Sequence, residues 1–359
     1  MKANNQQQTT SDYLIVGAGL AGCLLAWRLE QAGKSVQLIG DCAAPSASAV
    51  AAGVINPVTG RWAVKSWEFD TLGPEAERCY RAIEQTFDVE LYHKIPLHRY
   101  CQNDEDVKRI GRRMRNPRYS DVLGDFHEVG SGPEAIKDTH GYFDILGAAY
   151  VDLPLLLKTL RGHFTQQGRL DDTSFHYTDL KQGESSYHYG AITAKHVIFC
   201  EGANLRNNPW FNWLPLAPIK GETLIVKCPS LELPKAIYHH QKWILPYDDQ
   251  TIRLGATYEV DDLSCEPTED GKQQLLDGLY SFISETHQVE IVQHLAGLRP
   301  SSADVRPFLG SHHEKPNLHI LNGLGSKGAS LAPEMSRLFV AHLLEGTELH
   351  DEINISRFR

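Results

Sequence analysis

The chain has 359 residues, of which 42% are hydrophobic and 22% charged, with a formal net charge of -10. That length carries a soft expectation of about two domains, and the acidic balance argues against strong nonspecific affinity for nucleic acid or an anionic membrane, both of which are negative themselves. Seven scattered cysteines without a Cys-x-x-Cys pair argue against a disulfide framework or a zinc site and for a reducing, cytoplasmic setting, and no run approaches the apolar length of a membrane span.

The polar, Gln/Asn-rich stretch from Met1 to Asp12 reads as a disordered lead. Tyr13 to Val16 is an apolar strand stopping at glycine, Leu20 to Gln31 a helix closed by Gly33, and Ser35 to Ile39 a second strand. Together they form a βαβ unit, which predicts a doubly wound parallel sheet. Pro74 to Phe87 has a helical pattern, Tyr92 to Tyr100 reads as one strand, and Asp104 to Arg115 as a charged helix stopped by Asn116-Pro117. Leu153 to His163 is helical, and Lys195 to Cys200 is a strong strand ending at Glu201-Gly202. Thr223 to Lys227, Trp243 to Leu245 and Thr251 to Gly255 are strand-like, with Asp248-Asp249 as a hairpin turn. Lys272 to His287 reads as a helix, Leu318 to Leu321 as a strand and Pro333 to Leu344 as the closing helix. A strand-rich middle between α/β ends implies one nucleotide-binding domain assembled from separated segments, with a β-rich domain inserted.

Gly17-Ala18-Gly19-Leu20-Ala21-Gly22 matches Gly-x-Gly-x-x-Gly and lies between a strand and a helix of suitable length. Gly17 allows the tight turn, Gly19 lets a pyrophosphate approach the backbone, and Gly22 lets the helix pack closely on the sheet. The helix N-terminus then offers unpaired N–H groups to the phosphates. Asp41, at the end of the second strand, is the candidate for the ribose hydroxyls; the alternative is that a backbone group holds the ribose.

Four further segments carry a family resemblance: Ser46-Ala47-Ser48-Ala49-Val50-Ala51-Ala52-Gly53; Val197 to Ala203 with Gly202; Gly297-Leu298-Arg299-Pro300 followed by Asp304 and Arg306 to Gly310; and Asn322-Gly323-Leu324-Gly325-Ser326-Lys327-Gly328 running into Pro333. As a set they resemble the D-amino-acid oxidase superfamily of FAD enzymes, which includes glycine oxidase and sarcosine oxidase. The Gly-Ser-Lys-Gly loop is similar to that of the FAD domain that oxidises carboxymethylaminomethyl-uridine in tRNA.

The resemblance implies an α/β fold, with a split Rossmann-type FAD-binding domain over 12–60, 145–205 and 295–359 and an inserted β-rich substrate domain over 61–144 and 206–294. It places Ser46, Ser48, Ala52 and Gly53 against the pyrophosphate and flavin ring, Gly202 at a turn returning to the cofactor, and Gly325, Ser326, Lys327 and Gly328 at the flavin pyrimidine end. Members attaching FAD covalently use Cys or His near the flavin; neither occurs in Ser46 to Gly53 or Asn322 to Pro333, so non-covalent FAD is expected.

The resemblance also implies oxidation of the C–N bond of a small carboxylated amine by hydride transfer to flavin N5, with oxygen or a quinone reoxidising the flavin. Arg299 would grip the substrate carboxylate, unless it pairs with a structural acid such as Asp304. Trp243 stands where glycine-oxidase-like relatives place a tyrosine, and its indole donates one hydrogen bond but accepts none. Lys327 would put positive charge beside the flavin N1 and O2 atoms. Arg61 and Lys65 read mainly as surface charges, and the basic run from Lys108 to Arg118 as a solvated helix face. The alternatives are a 2-hydroxy-acid dehydrogenase, a tRNA-uridine oxidase, or a flavin-binding protein without turnover.

Overall fold

A computed structural model describes residues 9–247, 250–284 and 286–359. The chain splits into two compact units, unit 1 over Met1–Ala49, Leu153–Ile219 and Leu298–Arg359, and unit 2 over Val50–Asp152 and Lys220–Gly297.

Unit 1 is built on a mainly parallel sheet. Strand β1 (Thr9–Val16) leads through helix α1 (Leu20–Gln31) to β2 (Val36–Ile39), which lies parallel to β1 with Tyr13 opposite Val36. On its other edge β1 pairs in parallel with Ile192–Phe199, which in turn pairs in parallel with Leu318–Asn322. Tyr13, Leu14, Ile15 and Val16 are all buried, as suits a parallel strand covered on both faces. Trp27, Leu24 and Leu25 are buried along α1, and Gly33, at φ +73°, ends that helix. This is the α/β, Rossmann-type architecture that the glycine turn predicts.

Unit 2 contains an eight-stranded sheet in the order Glu290–Arg299, Ile219–Lys227, Thr251–Gly255, Trp243–Pro246, Ile237–His239, Leu97–Tyr100, Tyr142–Ile145, Leu123–His127. Its described pairings are antiparallel except Ile237–His239 with Leu97–Tyr100. One face packs under helix Glu269–Tyr280 as a core of Leu224, Val226, Tyr238, Ile244, Leu254 and Leu279 among others. Unit 2 is the more strand-rich of the two units.

Five expectations about elements need correction. Thr9–Asp12 belong to β1 and not to a disordered lead: backbone pairing of Thr9 with Ile192 and Thr10 with Thr193 does not depend on apolar side chains. Residues Tyr92 to Tyr100 form two strands, Tyr92–Lys94 and Leu97–Tyr100, in different sheets, because Pro96 between them has no N–H to extend a ladder. The helix expected over Lys272 to His287 is Glu269–Tyr280: Thr268 caps it by accepting from the Gly271 N–H at 3.0 Å, and Ile283 instead bridges to Ile136. The closing helix is Gly328–Glu345 and runs through Pro333, just as Pro74 lies inside Phe69–Phe87; taking each proline as a first helical residue set both starts too late. The turn assigned to Asp248-Asp249 falls outside the described residues.

Candidate functional site

Two of the three glycines of the first turn, Gly17 and Gly22, are pressed against backbone. Gly17 has φ +108°, and a Cβ there would run into the Cys200 carbonyl; a Cβ at Gly22 would run into the Gly17 carbonyl. Side chains are thus barred from the turn, which leaves its N–H groups accessible at close range. The carbonyls of Ile39 and Val16 hold the turn by accepting from the Gly17 N–H and the Cys200 N–H, each at 2.7 Å. A Cβ at Gly40 would lie 2.6 Å from the Ala18 nitrogen, which explains why no acidic side chain stands at that position and the nearest acid is Asp41. Asp41 is exposed, and its Oδ1 accepts from the Ala43 and Ala44 N–H groups at 3.1 and 3.0 Å.

Helix α1 begins at Gly19 with no cap from that residue and no acidic residue in its first turn, so the positive end of its dipole is not neutralised locally. Ser48 Oγ accepts from the Leu20 N–H at 3.1 Å, and a Cβ on Gly19 would lie 3.3 Å from that same oxygen. Ser46, two residues earlier, accepts from the Ala49 N–H through its Oγ at 3.3 Å. The Ser46–Ser48 segment therefore folds back onto the helix start. The glycine turn, a helix start with no acid in its first turn and two hydroxyls form a donor set that fits a diphosphate.

The Gly325 to Gly328 loop comes to the same place. Gly325–Lys327 is a single 3₁₀ turn feeding helix Gly328–Glu345, which again has no acid in its first turn. A Cβ at Gly328 would lie 3.4 Å from the Leu20 Cδ2, so the starts of the two helices adjoin. The Gly325 N–H donates to the Pro300 carbonyl at 3.0 Å, which ties the loop to the residue after Arg299. Ser326 is exposed and Lys327 half-buried; burial, and then the nearby Arg306 charge, push the Lys327 ammonium down from its ordinary value. Gly202 (φ +58°) closes the third segment, its carbonyl accepting from Asn322 Nδ2 at 3.0 Å.

Unit 1 contains Gly17, Gly19, Gly22, Asp41, Ser46, Ser48, Gly202, Arg299, Gly325, Ser326, Lys327 and Gly328. The remaining three candidates lie in unit 2. Ala52 and Gly53 precede the strand Val54–Ile55, and Gly53 (φ +70°) accepts from the Val151 N–H at 3.0 Å. Trp243 opens Trp243–Pro246 opposite Gly255, with its ring lying across that glycine. Asp304, the alternative partner for Arg299, is engaged by Arg357 at 2.8 Å. Lys65 is ion-paired to Asp70 and Asp121, and Arg61 lies over the Trp62 ring.

Two groups near the glycine turn escaped the sequence reading. Arg161 donates from Nε to the Ala18 carbonyl at 2.8 Å and from Nη1 to the Cys42 carbonyl at 3.3 Å, so it pins the turn and the segment after β2 together. On a helix it looks like any solvated charge, and nothing local marks it. Glu201, just before Gly202, accepts from the Tyr177 hydroxyl at 2.6 Å and from Asn208 Nδ2 at 2.7 Å. Burial pushes its carboxyl up to about 7, against these two hydrogen bonds. Its position directly after a strong strand was the available signal.

The chain is 31% identical to a glycine oxidase of Pseudomonas putida over 355 residues, covering 93% of this chain and 94% of that one. Its fold matches the crystal structure of glycine oxidase from Geobacillus kaustophilus with a TM-score of 0.79 and 21% identity, over 97% and 98% of the two chains. It also matches that of iminodiacetate oxidase from a Chelativorans species, with a TM-score of 0.77 and 22% identity over 95% and 97%. The model of the family described as FAD dependent oxidoreductase, DAO, matches residues 12–342, and the chain therefore belongs to the DAO family of FAD-dependent oxidoreductases.

Proposed function

We propose that this enzyme oxidises the C–N bond of a small carboxylated amine or amino acid. The observation that carries the reading is the position of Arg299, at the end of Glu290–Arg299 and joined through the Pro300 carbonyl to the Gly325 loop within one unit. The glycine oxidase relatives support an amine substrate. FAD would be held by the Gly17 to Gly22 turn, Ser46, Ser48 and the Gly325 to Gly328 loop. When bound, the flavin supplies the acceptor for the hydride leaving the substrate carbon.

Arg299 binds the substrate carboxylate through two parallel charged hydrogen bonds and so orients the amine-bearing carbon. Lys327 and the positive end of helix Gly328–Glu345 lower the energy of negative charge at the pyrimidine edge of the cofactor site. No dedicated base is assigned, so the amine must arrive neutral, and kcat/KM rises with pH as it loses its proton. The imine product is hydrolysed by water.

The test is anaerobic bleaching of the flavin by glycine and other carboxylated amines, followed by steady-state rates. Arg299→Ala is expected to raise KM by about 100-fold, the order given by two charged hydrogen bonds. An unchanged KM removes Arg299 from the carboxylate role, and a pH-independent kcat/KM refutes the neutral-amine requirement.

A further inference from the structure

Unit 2 carries a concentration of positive charge that runs against the chain as a whole, whose net charge is -10. Strands Val58–Thr59 and Val64–Lys65 form a hairpin with Thr59 opposite Val64. Two arginines of the same unit fasten its tip: Arg99 Nη2 donates to the Gly60 carbonyl at 2.8 Å and Arg109 Nη1 to the Arg61 carbonyl at 3.1 Å. The tip presents Trp62, 51% exposed, with the Arg61 and Arg109 guanidiniums 4.3 and 4.6 Å from its ring centroid. These contacts fix the pose of an exposed aromatic ring before any partner arrives.

Helix Asp104–Met114 extends the cluster. Asp104, Glu105 and Asp106 stand in its first turn and Arg112 and Arg113 in its last, as the helix dipole favours. The dipole does not account for Arg115 and Arg118, which follow the helix, nor for Arg61 and Trp62. Lys108, Arg112 and Arg115 recur at helical spacing and, with Arg118, are exposed. None of these four, nor Arg61, makes an ion pair among the described residues, and Asp106 is engaged by Arg109 at 2.7 Å. Burial pushes the Arg99 guanidinium down from its ordinary value, and the Arg109 and Arg113 charges add to this against Asp106.

Like charges gathered on one surface repel, and a bound anion relieves the repulsion. From Lys108 to Arg115 the row spans about 10 Å at 1.5 Å per residue, more than a single phosphate group covers. Ile110 is the one buried residue of the helix, and its free face is charged, which gives a bilayer no apolar surface to take up. Trp62 and the guanidinium planes beside it form a surface on which a base stacks. Solvation alone accounts for a charged helix face; it does not account for the fastened Arg–Trp–Arg stack next to it.

We propose that this surface of unit 2 binds single-stranded nucleic acid, with the cations from Lys108 to Arg118 on the phosphates and Trp62 against a base. The inference goes beyond the oxidation chemistry and involves neither Arg299 nor the glycine turn.

The experiment follows the fluorescence anisotropy of a labelled oligouridylate of about 20 nucleotides with the FAD-loaded enzyme between about 50 and 200 mM salt, with heparin and phosphatidylserine vesicles as the other probes. For the wild type, log Kd is expected to rise by about 3 per tenfold increase in salt, the slope of about four phosphate contacts on a single strand. Arg112→Gln with Arg115→Gln should lower that slope by about 1.4 and weaken binding at low salt by about tenfold. Trp62→Ala should weaken the oligonucleotide by about tenfold and leave heparin unchanged. Tm and flavin content should stay as in the wild type. No oligonucleotide binding by the wild type overturns the proposal, as does a slope unchanged in the double variant. A Trp62→Ala variant that binds the oligonucleotide as the wild type does, or loses heparin equally, also overturns it. So does binding to heparin or vesicles alone, which marks an acidic protein or a lipid surface as the partner. If the double variant does not fold, Arg115→Gln with Arg118→Gln takes its place and is read by the same slope. No readout needs a substrate amine, so failure of the oxidation reading and failure of this one are told apart.

Discussion

The glycine turn of unit 1 and the polar sheet face of unit 2 are both crowded, but by different things. At Gly17 and Gly22 the obstacles to a side chain are backbone carbonyls, which a folded sheet cannot move aside. At Gly255 the obstacle is the Trp243 ring, the far part of a side chain. Unit 1 spends its close packing on fixed N–H groups and helix starts, which suits a cofactor that every turnover needs in one pose. Unit 2 places Arg253 and Thr223 on a sheet face, where exchange of a single side chain leaves the ladder in place. Substitution is therefore expected to be tolerated poorly at the glycine turn and better at Gly255.

The largest effect should come from Gly22→Ala, set beside Gly255→Ala. The first is expected to cost about 3 kcal/mol or more and to yield colourless protein, since overpacking against backbone finds no relief. The second should cost about 1 kcal/mol, keep the flavin and shift tryptophan emission as the Trp243 ring swings away. Equal losses in thermal unfolding and flavin content would erase the distinction between the two regions.

The next effect is acid lability, which both units share through different surroundings. In unit 1, His319 is buried between Ser311 Oγ at 2.8 Å and His196 at 3.0 Å, and burial drives its pKa down to about 3. In unit 2, burial and then Arg99 drive His239 down to about 3, with its Nδ1 unpaired. Both imidazoles are neutral in the fold and take up a proton near pH 6.5 once unfolded. Stability is therefore full above that pH and falls as pH drops from about 6.5 toward 3. Each should cost about 2 kcal/mol between pH 6.5 and 5. Denaturant titrations of His319→Gln and His239→Gln should each flatten this limb by one share; a limb unchanged in both would place the acid sensitivity elsewhere.

The smallest effect is Ser48→Ala, which removes the acceptor for the Leu20 N–H at the start of α1 and should cost about 1 kcal/mol by thermal melts. A loss below a few tenths would mean that water replaces the hydroxyl at that helix end.

Much of unit 1 was legible in the sequence because its determinants are local. A glycine spacing, an apolar strand before it and a helix after it are contiguous, and Gly22 meets the Gly17 carbonyl within the same turn. The helix bounds of α1 followed for that reason, and where local signals misled, at Pro74 and Pro333, they did so through a preference that tertiary packing overrode. By itself the sequence determined the βαβ start, the dinucleotide cradle and the α/β class. Only the tertiary structure decided that Arg161 pins the Ala18 carbonyl, that the Gly328 helix starts beside Leu20, and that Thr223, Trp243 and Arg253 share one sheet face. Those relations join residues from about 10 to more than 300 positions apart, and strand register, which one-residue slips would invert, is not encoded in any single stretch of chain.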